Sequence, residues 1–293
     1  MMEKVYGITG TNGFAGRNLY DYLEKQGKNV IALCNRKPDY KSNYRICDVN
    51  NSDSLKKTFD VITHLFHLAA FNEIPKVIAN PLHAIRTNVL GTMNVIEACK
   101  AVGVKRMLYC STCHIYWSSN NAITETTKPN PIDLYSITKY VGELAARNSK
   151  MNVVVTRAFN HYGPHQKPTF LIPNAIKKLQ QKEAVFQSPD ASRDYTHVGD
   201  IVRGYLRAME NGLNGEIYQF ASGKERTVKS VVEDIKRLMG SSCKLTWEGG
   251  RKVDFQQYGS YEKARQELGW KPEIGWEEGL KETIAFYLDL NAG

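Results

Sequence analysis

Tyr135 and Lys139 stand four residues apart in Tyr135-Ser136-Ile137-Thr138-Lys139. If that segment is helical, both side chains share one face. An ammonium beside a phenol favours the phenolate and draws its pKa down from about 10, giving an acid/base usable near neutrality. Upstream, the apolar run Met107-Leu108-Tyr109-Cys110 ends in Ser111-Thr112, so a hydroxyl falls at the carboxyl end of a candidate strand. A second signature opens the chain, where an apolar run from Val5 breaks at Gly10, Gly13 and Gly16 before a helix-forming segment. Strand, tight turn and helix N-terminus in that order let the backbone approach a pyrophosphate, whose charge meets the free N–H groups of the helix. Gly10, Thr11, Asn12, Gly13, Phe14 and Ala15 are the contacts expected of that turn.

Cys110-Ser111-Thr112-Cys113-His114 also matches the C-x-x-C-H haem attachment pattern. Covalent haem needs both thiols on an accessible loop in an export compartment, whereas Cys110 is expected to point into a sheet. The leading Met1-Met2-Glu3-Lys4 runs straight into the first strand, leaving no room for a signal peptide. A cytoplasmic location is therefore expected, no metal site is expected, and the six cysteines read as reduced, buried thiols.

The elements that must position these residues alternate. Val5–Thr9, Val30–Cys34, Tyr44–Cys47, His64–Leu68, Arg106–Ser111 and Val153–Ala158 read as strands, with helices at Gly16–Gln26, Ser52–Phe59, His83–Val102 and Leu134–Ser149. Strands separated by helices imply parallel pairing with right-handed crossovers, an α/β doubly wound, Rossmann-like sheet. Beyond about residue 160 the pattern loosens into turns, with helices near Pro173–Gln181, Val198–Glu210, Thr227–Met239 and Glu277–Leu290. That half reads as a smaller C-terminal lobe closing over the carboxyl ends of the strands, with the binding cleft between the two. The 293 residues suffice for this, and no run reaches the ~18 apolar residues of a membrane span. The net charge of +9 lacks the basic runs interleaved with aromatics that nucleic-acid binders show, so a small phosphorylated partner is the expected anion.

The glycine turn, the Ser/Thr at the fifth strand end and Tyr-x-x-x-Lys, in this order, resemble the extended short-chain dehydrogenase/reductase family of nucleotide-sugar epimerases, dehydratases and reductases. His67-Leu68-Ala69-Ala70, Asn88-Val89-Leu90-Gly91-Thr92, Arg157-Ala158-Phe159-Asn160-His161-Tyr162-Gly163-Pro164, Arg193-Asp194-Tyr195 and Leu268-Gly269-Trp270-Lys271-Pro272 extend the match over nearly the whole chain. The resemblance implies a dinucleotide-binding domain over 1–160, with part of 193–222 packing back on it, and a nucleotide-sugar-binding lobe over 161–293. It implies that Thr112 binds the reacting sugar oxygen, Tyr135 transfers its proton, and Lys139 holds the nicotinamide ribose and tunes Tyr135. Further cofactor contacts are implied at Asp48, Val49, Leu68, Ala69, Ala70 and Asn88. Asn160, Arg193 and Arg251 are implied on the substrate side, the two arginines as phosphate partners.

Departures from the family pattern narrow the activity. The second strand ends in Cys34-Asn35-Arg36 and lacks the carboxylate that binds an NAD ribose, while Arg36 suits a 2′-phosphate. NADP(H) is the expected cofactor, with NAD(H) the alternative. Cys113 and His114 occupy the places where dehydratases carry carboxylates, so 4,6-dehydration is disfavoured. His114 is a candidate acid/base for epimerisation, and Trp117 replaces a glycine and is expected to narrow the sugar pocket. The Asn160 and Arg193 segments look most like GDP-4-keto-6-deoxymannose reductases. The expectation is a homodimeric nucleotide-sugar 4-ketoreductase acting on a GDP-sugar, with a 4-epimerase or 4-dehydrogenase as alternatives. Dimerisation is expected through apolar faces bearing Val89, Met93, Ile96, Val141, Leu144 and Ala145. A dinucleotide-sensing protein on the same fold is disfavoured because Thr112, Tyr135 and Lys139 are all intact.

Overall fold

The structure, a computed structural model, describes residues 3–248 and 256–292; Arg251 lies outside the described residues. The first half comprises β1 (Val5–Thr9), α1 (Phe14–Lys25), β2 (Asn29–Cys34), β3 (Tyr44–Ile46), α2 (Ser52–Thr58), β4 (His64–His67), α3 (Ile74–Ala79), α4 (Pro81–Ile85), α5 (Gly91–Val102), β5 (Arg106–Cys110), α6 (Leu134–Arg147) and β6 (Val153–Ala158). Then follow β7 (Asn160–Tyr162), α7 (Leu171–Lys178), β8 (Glu183–Gln187), β9 (Ser192–His197), α8 (Val198–Asn211), β10 (Ile217–Phe220), β11 (Glu225–Thr227), α9 (Val228–Leu238), β12 (Lys244–Glu248), α10 (Glu262–Leu268) and α11 (Trp276–Ala292).

Seven parallel strands form the main sheet in the order β10-β6-β5-β4-β1-β2-β3. Both faces are covered, which is why its strands read as unbroken apolar runs rather than alternating ones; every residue of β6 is buried. Leu19 and Leu23 of α1 pack with Ile201 and Tyr205 of α8 in one core. Leu55, Phe59, Val95, Cys99 and Ala146, from α2, α5 and α6, fill the other. Strand order reverses between β1 and β4, and at that switch the carboxyl ends of the strands open a crevice. A smaller lobe with its own core (Ile172, Ile176, Phe186, Val231, Ile235, Leu280) carries the β11-β9-β7 sheet and the β12-β8 pair.

Two differences from the sequence reading stand out, in the helix before β5 and in the expected dimer face. The single helix expected over His83–Val102 is three pieces, because a π-helical turn at Arg86–Leu90 separates α4 from α5. That turn places Asn88 in the interior. Strand β10, from the 193–222 stretch expected to pack back on the first domain, pairs with β6. Of the apolar residues assigned to a dimer face, Met93, Val141 and Leu144 are exposed, but Ile96 lies in the core against the sheet. No helix among the described residues is long and apolar enough to cross a membrane.

The glycine turn is held by close packing. Gly10 has φ +78°, and a Cβ there would lie 2.8 Å from the backbone nitrogen of Ala69. A Cβ on Gly16 would lie 2.3 Å from the Gly10 carbonyl oxygen. Gly10→Ala is therefore expected to cost about 1–3 kcal/mol through strain at positive φ. Urea denaturation checks this, the midpoint falling while the slope is preserved.

Candidate active site

Helix α6 begins where Asp133 caps it: the Asp133 carboxylate accepts from Ser136 N at 2.8 Å, and Ser136 Oγ accepts in return from Asp133 N at 3.2 Å. This capping box puts Tyr135 in the first turn and Lys139 one turn on. Strand β5 ends at Cys110, and a short 3₁₀ turn over Cys113–Ile115 follows, with Thr112 Oγ1 accepting from His114 N at 3.2 Å. The Thr112 hydroxyl lies close enough to Tyr135 to favour its charged form. The His114 ring meets the Tyr135 ring edge-on at 5.8 Å and has the Asn160 side chain beside it. Arg193, whose guanidinium donates to Ser192 O at 2.7 Å, is close enough for its charge to act on both Cys113 and His114. Thr112, His114, Tyr135, Asn160 and Arg193 are thus one cluster.

A buried polar chain joins this cluster to the glycine turn. Thr9 Oγ1 bonds His67 Nδ1 at 2.8 Å and accepts from Leu68 N and Ala69 N, each at 3.2 Å. His67 Nε2 meets Thr92 Oγ1 at 3.1 Å, and Thr92 donates to Asn88 O at 2.8 Å. The Asn88 amide accepts from Phe71 N at 2.7 Å and donates to Phe71 O and Thr138 Oγ1, both at 3.0 Å. Asn88 therefore fastens the loop after β4 to the helix carrying Tyr135 and Lys139. His67, Thr92 and Thr138 carry this network without having been singled out from the sequence, although His67 lay in plain view at the head of His67-Leu68-Ala69-Ala70.

Burial sets the electrostatics. It pushes the Tyr135 phenol above its ordinary range, against the pull of the Thr112 hydroxyl. The same desolvation draws Lys139 down to about 8, Cys110 and Glu143 acting the other way. The expected lowering of Tyr135 by Lys139 is thus corrected: burial disfavours the charged phenolate, and Thr112 is the group that opposes it. Its Nζ lies 4.4 Å above the Tyr109 ring. Burial, then Arg193, lowers His114, so its imidazole is neutral at pH 7.

At the carboxyl ends of the strands, α1 has no side-chain cap at its N-terminus, and Ser111 Oγ is buried without a hydrogen-bond partner among the described residues. An uncapped helix start behind a glycine turn, with an orphaned hydroxyl across the crevice, fits a dinucleotide pyrophosphate and ribose. Asn35 and Arg36 are exposed beyond β2, with Asn12 Nδ2 donating to Arg36 O at 3.0 Å. Near them, the Arg17 guanidinium stacks 3.5 Å over Tyr40, a pair the sequence did not suggest. Asp48 is exposed, its carboxylate accepting from Asn50 N at 2.9 Å, and Val49 is buried. Trp117 is 43 % exposed. No group of three or more His, Cys, Asp or Glu that would hold a metal occurs among the described residues.

Two buttresses were not legible in the sequence. Gln257 Nε2 donates to Cys113 O at 3.1 Å and Tyr116 O at 3.2 Å, holding the Thr112 loop from the far end of the chain. Asp194 accepts from Ser222 N at 2.8 Å, Gly223 N at 2.9 Å and Gly259 N at 3.3 Å, fixing the strand that bears Arg193.

Comparison with known proteins agrees with this geometry. Residues 7–221 match the NAD dependent epimerase/dehydratase family, and the chain belongs to it. It is an enzyme of that family. A UDP-glucuronate 4-epimerase from Thermodesulfobacterium geofontis is 29% identical, covering 95% of this chain and 94% of its own. A GDP-6-deoxy-D-mannose reductase from Pseudomonas aeruginosa is 28% identical over 97% of each chain. Among solved structures, Thermotoga maritima UDP-glucose 4-epimerase with UDP-glucose superposes with a TM-score of 0.90 at 28% identity, covering 98% and 99% of the two chains. The structure of RMD from Pseudomonas aeruginosa complexed with NADPH gives 0.86 at 25% identity, covering 98% and 99%.

The C-x-x-C-H motif is built into the fold, with both Cys110 and Cys113 buried and burial pushing each thiol up to about 12. All six cysteines are free and buried. Native protein is expected to react negligibly with a thiol-specific chromogenic reagent at pH 8, and to titrate six thiols once unfolded in guanidinium.

Proposed function

We propose that this enzyme is an NADP-dependent nucleotide-sugar 4-ketoreductase, reducing the C4 carbonyl of an NDP-4-keto-6-deoxy sugar, with a GDP-sugar preferred. The observation that carries the reading is the Thr112 hydroxyl facing the Tyr135 phenol one helical turn from Lys139, with Cys113 and His114 where a dehydratase would need carboxylates. In this reading Gly10 to Ala15, Leu68, Ala69 and Ala70 line the pyrophosphate path, Asp48 and Val49 flank the adenine, and Asn35 and Arg36 face the adenosine ribose. The nicotinamide, when bound, supplies the hydride. Tyr135 holds the proton destined for the sugar oxygen, and the raised phenol suits that role because a donor must start protonated. Thr112 orients that oxygen, and Lys139 places a positive charge beside the phenol and the ribose. His114, neutral and beside Asn160, orients that amide against the glycosyl side rather than transferring a proton. Arg193 meets the diphosphate, whose binding energy positions the distant C4. Arg251 is retained as a second phosphate partner.

The reading also includes a homodimer through α5 and α6, where Met93, Ile137, Val141 and Leu144 leave an exposed apolar stripe. A 4-epimerase is the second reading, favoured by the likeness to two 4-epimerases.

Cofactor retention separates the two. Denatured protein is expected to release little dinucleotide after dialysis, and the apo protein to bind NADPH more tightly than NADH and to reduce GDP-4-keto-6-deoxymannose. Near-stoichiometric NAD in the released fraction would overturn the reductase in favour of the epimerase, which returns hydride to its own substrate.

Catalysis has a predicted basic limb. Lys139 is charged below about 8 and neutral above it, so kcat/KM falls as pH rises through that value, while the phenol stays protonated. Tyr135→Phe is expected to lower kcat by about 10²–10⁴-fold with NADPH affinity kept, measured by steady-state kinetics and fluorescence titration.

A further inference from the structure

Beneath the catalytic helix lies a buried ion pair that the proposed chemistry does not use. Glu143 of α6 and Arg157 of β6 have side chains 0% and 2% exposed. Arg157 Nε donates to Glu143 Oε2 at 3.0 Å, and a second guanidinium nitrogen donates to Oε1, making the pair bidentate. The remaining nitrogen donates to Tyr116 Oη, which also accepts from Gln219 Nε2 at 2.9 Å. Tyr116 ends the 3₁₀ turn that begins with Thr112. The pair thus ties the helix carrying Tyr135 and Lys139 to the loop carrying Thr112. Glu143 also follows Lys139 by one helical turn, both side chains being buried.

The charge balance of this pocket is unusual. Facing Lys139 are Tyr109 and Cys110 from β5, His67 from β4, and Tyr135 and Glu143 from its own helix. Cys110 is pushed up to about 12 and His67 down to about 3, so both are neutral near pH 8. Glu143 is then the anion among these groups, shared between the Lys139 ammonium and the Arg157 guanidinium. Without it two cations would remain buried together. A guanidinium does not give up its proton in a protein, so the lysine must.

We propose that Glu143, clamped by Arg157, is a positioning residue that keeps Lys139 charged and holds Tyr135 in register with Thr112. The inference rests on the reading of Tyr135 and Lys139 given above. Glu143→Gln keeps the shape of the pair and one of its two hydrogen bonds but removes its negative charge. The Lys139 ammonium, followed by ¹⁵N NMR of lysine-labelled protein and assigned with Lys139→Arg, is expected to titrate about one pH unit lower in the variant. The basic limb of kcat should move by the same amount, with KM and NADPH affinity little changed. Glu143→Asp, which keeps the charge, should restore the limb. Should Glu143→Gln not fold, the apolar double replacement Glu143→Met/Arg157→Met is expected to lower the Lys139 titration by less than about one unit, because the second cation leaves with the anion. A lower melting temperature with the Lys139 titration and the limb both unmoved would overturn the proposal, leaving a brace of the fold only. A shifted Lys139 in an enzyme that reduces no nucleotide ketosugar would uphold the charge role while overturning the reductase reading.

Discussion

Helix α6 and strand β5 meet at Gly142 with no room for a methyl group, and the active site is built outward from that contact. A Cβ on Gly142 would lie 2.4 Å from Tyr109 Oη and 2.9 Å from Asn88 O. The Tyr109 hydroxyl uses this proximity to donate to Lys139 O at 3.0 Å. Helix, strand and the π-helical turn are thereby locked at one point. Lys139 lies one turn before it and Tyr135 two turns before it, so their depth in the crevice follows from one interhelical distance. Protein interiors pack densely enough that such a contact transmits displacement rather than absorbing it.

That depth decides the chemistry available. Lys139 is buried and Tyr135 and His114 are half-buried, and desolvation favours the neutral form of each: the phenol rises, the ammonium falls and His114 falls. A low dielectric strengthens the charges that remain, which are Lys139, Arg157 and Glu143 below the cleft and Arg193 above it. A site so arranged suits donation of a proton to an oxygen that becomes negative, because positive charge surrounds the oxygen while the donor begins protonated.

Much of this frame was legible in the chain. The strand–helix alternation follows from parallel strands buried on both faces, and the turn from glycines whose Cβ atoms have no space. The start of α6 was read at its observed residue, Leu134, and Asp133 and Ser136 form a local cap there. What escaped reading depends on distant pairing. Gln257 reaches Cys113 across 144 residues, and Glu143 finds Arg157 on a neighbouring strand. No local periodicity announces either. The π-helical turn was hidden for another reason: its residues keep a helical composition, and the irregularity comes from Asn88 turning inward to serve Phe71 and Thr138. The Tyr135–Lys139 spacing was read correctly as one face. Its electrostatic consequence was not, since a sequence shows proximity but not desolvation.

His114 shows how the surroundings assign a role that residue type leaves open. A histidine between a catalytic threonine and a tyrosine has the reach of an acid/base. Here its ring is edge-on to Tyr135, beside Asn160, and under the field of Arg193. Burial and that cation both oppose protonation, with Asp133 and Asn160 offsetting them only in part. A neutral imidazole so placed donates and accepts hydrogen bonds but holds no spare proton for the sugar. In the proposed reading proton transfer therefore falls to Tyr135, with His114 standing where a dehydratase would carry a carboxylate. In the proposed reduction one proton donor and one hydride position suffice.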